Sequence, residues 1–231
     1  MSTTPFTEVP SLTFDGCYRV PADVFTLSRF REWVHGGDFP EKGRASFIRG
    51  SVEVEMSPEN LETHNAVKTE ITGGLRELLK QRRIGRLYSD RAMFVCPEAD
   101  ISTEPDAMFC SHESRRSGRV RQVEWTKGSG DFVEVVGVPD LVVEVVSTSS
   151  VRKDTKLLRR QYYQAGIPEY WLVDARGKKI NFQVLERGEE QYVPVAPDAD
   201  GYHRSAVLDA CFSLIRERDE FGEFEYHLLR R

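Results

Sequence analysis

The chain has 231 residues, 39% hydrophobic and 30% charged, with a formal net charge of −5. We read this as one domain over residues 1–231, and the charge counts against a purely electrostatic nucleic-acid coat: any contact with phosphate must come from local basic patches. No apolar run approaches the roughly 18 to 20 residues of a membrane span, and MSTTPFTEVP lacks the basic and apolar segments of a signal peptide. The expectation is a cytoplasmic protein. Cys17, Cys96, Cys110 and Cys211 show neither C-x-x-C pairing nor disulfide-scaffold density, so they read as small core or surface residues.

In chain order, ADVFTLSRFREWVHGG predicts a short helix with Phe25, Leu27, Phe30 and Trp33 on its core face. ASFIRGSVEVEM predicts a hairpin turning near Gly50. SPENLETHNAVKTEITGGLRELLKQRR predicts a long helix, with Ser57 as N-cap, Pro58 at the first helical position and Leu61, Val67, Ile71, Leu75, Leu78 and Leu79 at helical spacing. RLYSDRAMFV and EPDAMFC read as two strands, and SHESRRSGRVRQVEWTKGSGD as a polar, glycine-bearing loop or insertion. PDLVVEVV is a third strand, VRKDTKLLRRQYYQAG a second helix ended by Gly166, and EYWLVD a fourth strand. INFQVLE, QYVPVAP and EFEYHLL predict further strands that extend or flank the sheet.

Glu144 stands inside an apolar run, and burying an unpaired carboxylate costs several kcal/mol or forces it to take up a proton. It therefore has a partner or a chemical role. Side chains alternate along a strand, so Asp140, Val142, Glu144 and Val146 share one face and Leu141, Val143 and Val145 the other. Asp140 is about 13 Å from Glu144 at about 3.3 Å per residue, too far for one Mg²⁺, whose oxygens lie at about 2.1 Å. Asp106, which opens the EPDAMFC strand, is the candidate partner. The plainer reading is that EPD and VPD are turns leading into strands. On the first helix, His64 and Lys68 fall in the sector of Leu61, Ile71 and Leu75, while Glu70 falls outside it. A single inward histidine is usually a satisfied core residue; with Lys68 one turn on, it makes a polar end to an apolar stripe, as suits a stripe running into a cleft.

The succession EPDAMF, PDLVVEVVS, SSVRKDT, QYYQAGIPEYWLVDARG resembles the Uma-two family of endonucleases, domain of unknown function 820, within the PD-(D/E)xK nuclease superfamily. MSPENLETHN resembles the start of that family's helix, His64 included. The resemblance covers about residues 45–179. It implies an α/β restriction-endonuclease-like core, a mixed β-sheet flanked by helices with extra N- and C-terminal strands, cleaving nucleic acid with Mg²⁺ or Mn²⁺. It makes Asp106 and Glu144 the metal-binding acids. The superfamily lysine is absent: its strand position is Val146, and the place in the following helix where the family carries a basic residue, four beyond Asp154, is Leu158. Lys153 and Lys156 are the substitutes, Lys153 preferred for its place at the start of the helix; Lys68 is a further source. In such a site two carboxylates hold the ion and a lysine positions or deprotonates water and offsets negative charge, while His64 contacts phosphate, orients water or completes the metal shell. Arg115, Arg116, Arg119, Arg121, Arg152, Arg159 and Arg160 are candidate backbone contacts or simply a solvated face. The implied partner is nucleic acid, DNA in the first place, with a homodimer as an open arrangement. A catalytically weakened relative that binds nucleic acid or protein is the alternative function.

Overall fold

The computed structural model describes residues 11–14, 18–36, 39 and 44–231. The chain begins with the hairpin β1 (Ser11–Phe14) and β2 (Tyr18–Pro21), helix α1 (Leu27–Val34), and a second hairpin of β3 (Arg44–Ile48) and β4 (Ser51–Glu55). Helix α2 (Ala66–Arg82) follows a wide π-type turn over Leu61–Asn65. Next come β5 (Gly85–Ser89), β6 (Met93–Cys96), β7 (Ile101–Thr103), β8 (Ala107–Ser111), the short helix α3 (His112–Arg116), β9 (Val120–Glu124), β10 (Phe132–Gly137) and β11 (Leu141–Val145). A second π-type turn, Lys153–Leu158, runs into α4 (Arg159–Ala165), which Gly166 ends at φ 85°. The remaining strands are β12 (Glu169–Asp174), β13 (Asn181–Arg187), β14 (Tyr192–Pro194), β15 (His203–Ser205), β16 (Ala210–Arg218) and β17 (Phe224–Arg230).

The architecture is mixed α/β, and beside the two-stranded β1-β2 the strands divide between two six-stranded sheets, ordered β4-β3-β7-β6-β10-β9 and β14-β13-β12-β11-β8-β5, with β15-β16-β17 a separate sheet. Within the second sheet β11 runs parallel to β12 and antiparallel to β8, so α4 is the crossover. The strand parity of β11 sets the layers. Leu141, Val143 and Val145 pack on Val67, Ile71, Leu75 and Leu78 of α2, with Phe212 and Tyr226 of the separate sheet closing that side. Val142 and Val146 face Tyr162 of α4 and, beyond it, Phe94, Ile101 and Val135 of the first sheet. Each such large side chain contributes roughly 1.5–3 kcal/mol, and β11, buried on both faces, sits at the centre.

Local chemistry accounts for most departures from the sequence pattern. The β3–β4 hairpin turns through Arg49 and Gly50, both left-handed (φ 49° and 77°), as expected. RLYSDRAMFV is not one strand: consecutive left-handed residues Asp90 and Arg91 (φ 46° and 62°) break it, sending β5 to one sheet and β6 to the other. SHESRRSGRVRQVEWTKGSGD is not a loop. Ser111 caps α3 by accepting from the Ser114 N–H, and the Glu124 carboxylate gathers the Gly128 and Gly130 N–H groups to close the β9–β10 hairpin. The long helix starts later than expected: Asn60, not Ser57, is its cap, accepting from the Glu62 and Thr63 N–H groups at 3.1 and 2.8 Å. Leu61, at the π-turn, is 77% exposed rather than core. Phe25 precedes the Thr26 cap of α1 and is also exposed. Cys96 and Cys110 are buried and free, and Cys211 is half-buried and free. MSTTPFTEVP and Cys17 lie outside the described residues. Among the described residues no helix is long and apolar enough to cross a membrane.

Candidate active site

The antiparallel register of β8 on β11 pairs Ala107 with Val143, so Asp106, one residue before β8, stands opposite Glu144. Both are buried, and both line one cleft of about 410 Å³. Asp106 is fixed on two sides: its Oδ2 accepts the Val145 N–H at 2.8 Å and its Oδ1 accepts Arg44 Nη1 at 3.1 Å. Glu144 Oε1 accepts the Tyr162 hydroxyl of α4 at 2.5 Å. The two acids thus come to the cleft from neighbouring strands in held orientations.

The two π-turns bring in the remaining groups. From the first, His64 is buried with Nε2 3.7 Å from Asp106 Oδ2 and Nδ1 3.6 Å from Glu59 Oε2, and Nδ1 has no hydrogen-bond partner among the described residues. From the second come Lys153 and Asp154. Lys153 Nζ lies 3.5 Å from Glu55 Oε2 and 3.9 Å from Asp154 Oδ1. Asp154 Oδ2 accepts the Ser150 hydroxyl, while its buried Oδ1 accepts no hydrogen bond from the described residues. Glu55, at the end of β4, accepts the Ser149 hydroxyl at 2.5 Å and the Ser147 hydroxyl at 3.2 Å.

Electrostatically the cleft is short of positive charge. Burial pushes the Glu144 carboxyl well above its ordinary range, and Asp154 and Asp106 push it further against the pull of Lys153 and Tyr162. Asp154 is pushed up to about 7, chiefly by burial, with Lys153 and Ser150 opposing. Burial favours the neutral form of Lys153, but Glu144, Asp154, Glu55 and Asp106 outweigh it and hold the ammonium pKa above its ordinary value. Arg44 answers Asp106 and Lys153 faces Glu144, Asp154 and Glu55, so the carboxylates outnumber the cations beside them.

The Uma2 family model, described as "Putative restriction endonuclease", matches residues 27–213. The chain belongs to the Uma2 family. Among solved structures, the crystal structure of a putative nuclease of domain of unknown function 820 from Anabaena variabilis ATCC 29413 aligns with a TM-score of 0.57 at 18% identity, covering 80% of this chain and 90% of that one. At that identity the likeness speaks for the fold. A comparison with curated proteins gives no match.

In this Uma2 chain the structure gathers Asp106, Glu144, His64 and Lys153 at one cleft and leaves Lys156 out: it is exposed and does not line the cleft. Lys68 is buried as its sector predicts, but it bonds Glu59 at 2.6 Å at the cleft's edge. Asp140 is structural; it accepts the Ser111 N–H, the Ser114 hydroxyl and Arg119, anchoring α3. That engagement removes Arg119 from any free basic face, and Arg159 is likewise occupied by the Tyr192 carbonyl at 3.1 Å. Arg44, Glu55, Asp154 and Tyr162 are site residues that sequence reasoning does not single out. Asp154 carries the clearest signal of the four, a charged residue in the buried stripe of its helix; Glu55 has none, because VEVE alternation is what a solvated hairpin face looks like.

Proposed function

We propose that this cleft is the catalytic centre of a PD-(D/E)xK-type endonuclease with a displaced lysine, hydrolysing phosphodiester bonds of nucleic acid, DNA in the first place, with Mg²⁺ or Mn²⁺. The observation that carries the reading is the facing of Asp106 and Glu144 across β8 and β11, with Lys153 returned to them by the π-turn. The residues fit a hard divalent cation: the donors are oxygens, Asp154 Oδ1 is buried without a hydrogen-bond partner among the described residues, and burial, with neighbouring carboxylates adding to it, raises the pKa of both Glu144 and Asp154. Asp106 and Glu144 would hold the ion, with Asp154 beside them. Among the described residues no group of three or more His, Cys, Asp or Glu side chains is already closed around a metal position; a site of one or two carboxylates completed by water and phosphate oxygens is the usual arrangement for Mg²⁺. When bound, such an ion supplies Lewis-acid activation of the scissile phosphate and of water.

The chain's own groups do the rest. The Val145 N–H and Arg44 fix the direction of Asp106, and the Tyr162 hydroxyl fixes Glu144. Protonated Lys153 places positive charge where the phosphate accumulates negative charge. His64, with a free Nδ1, contacts phosphate or orients water. The test is a cleavage assay on plasmid DNA, linear duplex, single-stranded DNA and RNA with Mg²⁺ or Mn²⁺ beside an EDTA control. Metal-dependent cleavage lost in Glu144→Gln is the expected result; no cleavage of any substrate by the folded protein overturns it. A second reading, a weakened relative that only binds, draws on Val146 and Leu158, both of which are apolar core residues where the resemblance calls for a lysine and a basic residue respectively. Absence of cleavage together with absence of Mn²⁺ binding by calorimetry favours it.

A further inference from the structure

Away from the cleft, one face of α2 carries no carboxylate. Thr69, Thr72, Gly73, Arg76 and Lys80 recur at helical spacing, and Arg83 follows as the left-handed residue that ends the helix (φ 55°). They wall a groove of about 760 Å³ whose other side is β5, an edge strand bearing Arg86, with His112 at its end. No acidic residue lines this groove. Arg76, Lys80, Arg83 and Arg86 are exposed, and their side chains make no hydrogen bond or ion pair with a described residue. Several other arginines of the chain are engaged: Arg44 by Asp106 and Glu59, Arg31 by Glu134, Arg231 by Asp198 and Asp200. On a chain of net charge −5, four neighbouring unpaired cations form an anion-attracting strip.

Two further observations give the strip a direction and a floor. A smaller depression lined by Asn65, Lys68, Thr69, Thr72 and Ser89 joins it to Asp106, so groove and cleft are continuous along the start of α2; Glu59 and Asp90 on that path are paired with Lys68 and Arg44. Glycine weakens a helix interior, and Gly73 has no internal reason to be there, since a Cβ would meet nothing within 4 Å. Its neighbour Gly74 is different: a Cβ there would come 3.0 Å from Leu228. Gly73 leaves bare backbone on the groove wall, where a ligand can approach closely. From Gly73 to Arg83 the helix rises about 15 Å, the axial length of about four nucleotides of a duplex strand.

We infer that the α2–β5 groove binds the sugar-phosphate backbone of nucleic acid leading to the cleft, through Arg76, Lys80, Arg83 and Arg86. The inference rests on the nuclease reading for its occupant. It is tested by fluorescence anisotropy of a labelled DNA duplex, with a duplex RNA in a second arm, in EDTA so that nothing is cut. The quadruple variant Arg76→Ala, Lys80→Ala, Arg83→Ala, Arg86→Ala weakens binding on the order of 100-fold near 0.1 M salt and flattens the dependence of log K on log salt by about 0.9 for each phosphate that is no longer neutralised. The double variant Arg76→Ala, Lys80→Ala gives part of both effects, and Arg115→Ala, Arg116→Ala on α3 gives neither. Unchanged affinity and slope in the folded quadruple or double variant, weakening confined to the α3 variant, or no binding of either duplex by the wild type overturns the groove. Wild-type binding that follows this pattern without any cleavage in Mg²⁺ or Mn²⁺ overturns the nuclease reading and leaves the groove standing.

Discussion

The tetrapeptide VEVV occurs twice, at residues 133–136 on β10 and at 143–146 on and just past β11, and its two buried glutamates meet opposite environments. Glu134 is matched: Arg31 donates to both of its oxygens at 3.0 and 2.5 Å, and His35 Nε2 lies 2.8 Å away. Burial opposes its charge, yet the hydrogen bonds from His35 and Arg31 outweigh burial and hold its pKa down to about 2. Glu144 has one hydroxyl and a ring of acids, and its pKa rises. The strands are alike; what differs is the element laid over them, α1 with its basic face in one case and an acid-bearing π-turn in the other. Glu134 is a buried glutamate that the fold has neutralised, and Glu144 is one left largely uncompensated, the kind of perturbed group that clusters at functional sites.

The largest expected difference is in activity. Glu144→Gln lowers single-turnover cleavage by about 10³-fold or more, the scale of losing a principal electrostatic group, whereas Glu134→Gln leaves cleavage unchanged in protein that is still folded. Equal losses in the two variants would break the comparison. Stability runs the other way. By urea denaturation near neutral pH, Glu134→Gln costs about 3 kcal/mol because a buried pair loses its partner, and Glu144→Gln gains about 1 kcal/mol because the amide needs no proton taken up to stay neutral in its buried place. Next in size, Lys153→Ala lowers the cleavage rate by about 10²-fold with little change in metal affinity, while Lys156→Ala, outside the cleft, does not change it.

The smallest effect, and the sharpest, is the sign of the pH dependence. The folded pKa of Glu134 lies near 2, below its ordinary 4.5, so its stabilisation is complete above about 4.5 and is lost as pH falls towards 2. Glu144 is shifted upward, so the folded state keeps a proton that the unfolded chain releases; its contribution declines as pH rises from about 4.5 through the folded pKa. Melting temperature against pH should therefore show a shallower acid-side rise in Glu134→Gln, with Glu59 still contributing to it, and a shallower decline above that range in Glu144→Gln, with Asp154 still contributing. Identical profiles for the two variants would remove the distinction.

Glu144 is legible in the sequence because it interrupts an apolar strand, and Asp106 because it opens another; the register of β8 on β11 then sets them opposite each other. His64 and Lys68 were legible as inward because the helical period holds across most of that segment. The same period misplaced Leu61, where the chain widens before α2 settles into regular winding. The division into two sheets hung on two consecutive left-handed residues at Asp90 and Arg91, a backbone choice that the DR dipeptide hardly advertises. Glu55 and Arg44 reach the cleft from a hairpin distant in sequence, and nothing local distinguishes their charges from those of any solvated strand.

The two π-turns make the cleft sensitive to chain length as well as to composition. A turn closed from residue i to i+5 carries an additional residue compared with an α-helical one, so each behaves as a built-in single-residue insertion. Deleting one residue within KDTKLL allows ordinary winding while α4 stays seated through Tyr162 and the Gln161 bond to the Ala99 carbonyl; everything before it then swings by about 100°. Lys153 and Asp154 leave the cleft although both are still present. The same holds for LETHN and His64. Relatives that differ by one-residue gaps at these two places would keep every residue of the site in sequence and lose its arrangement in space.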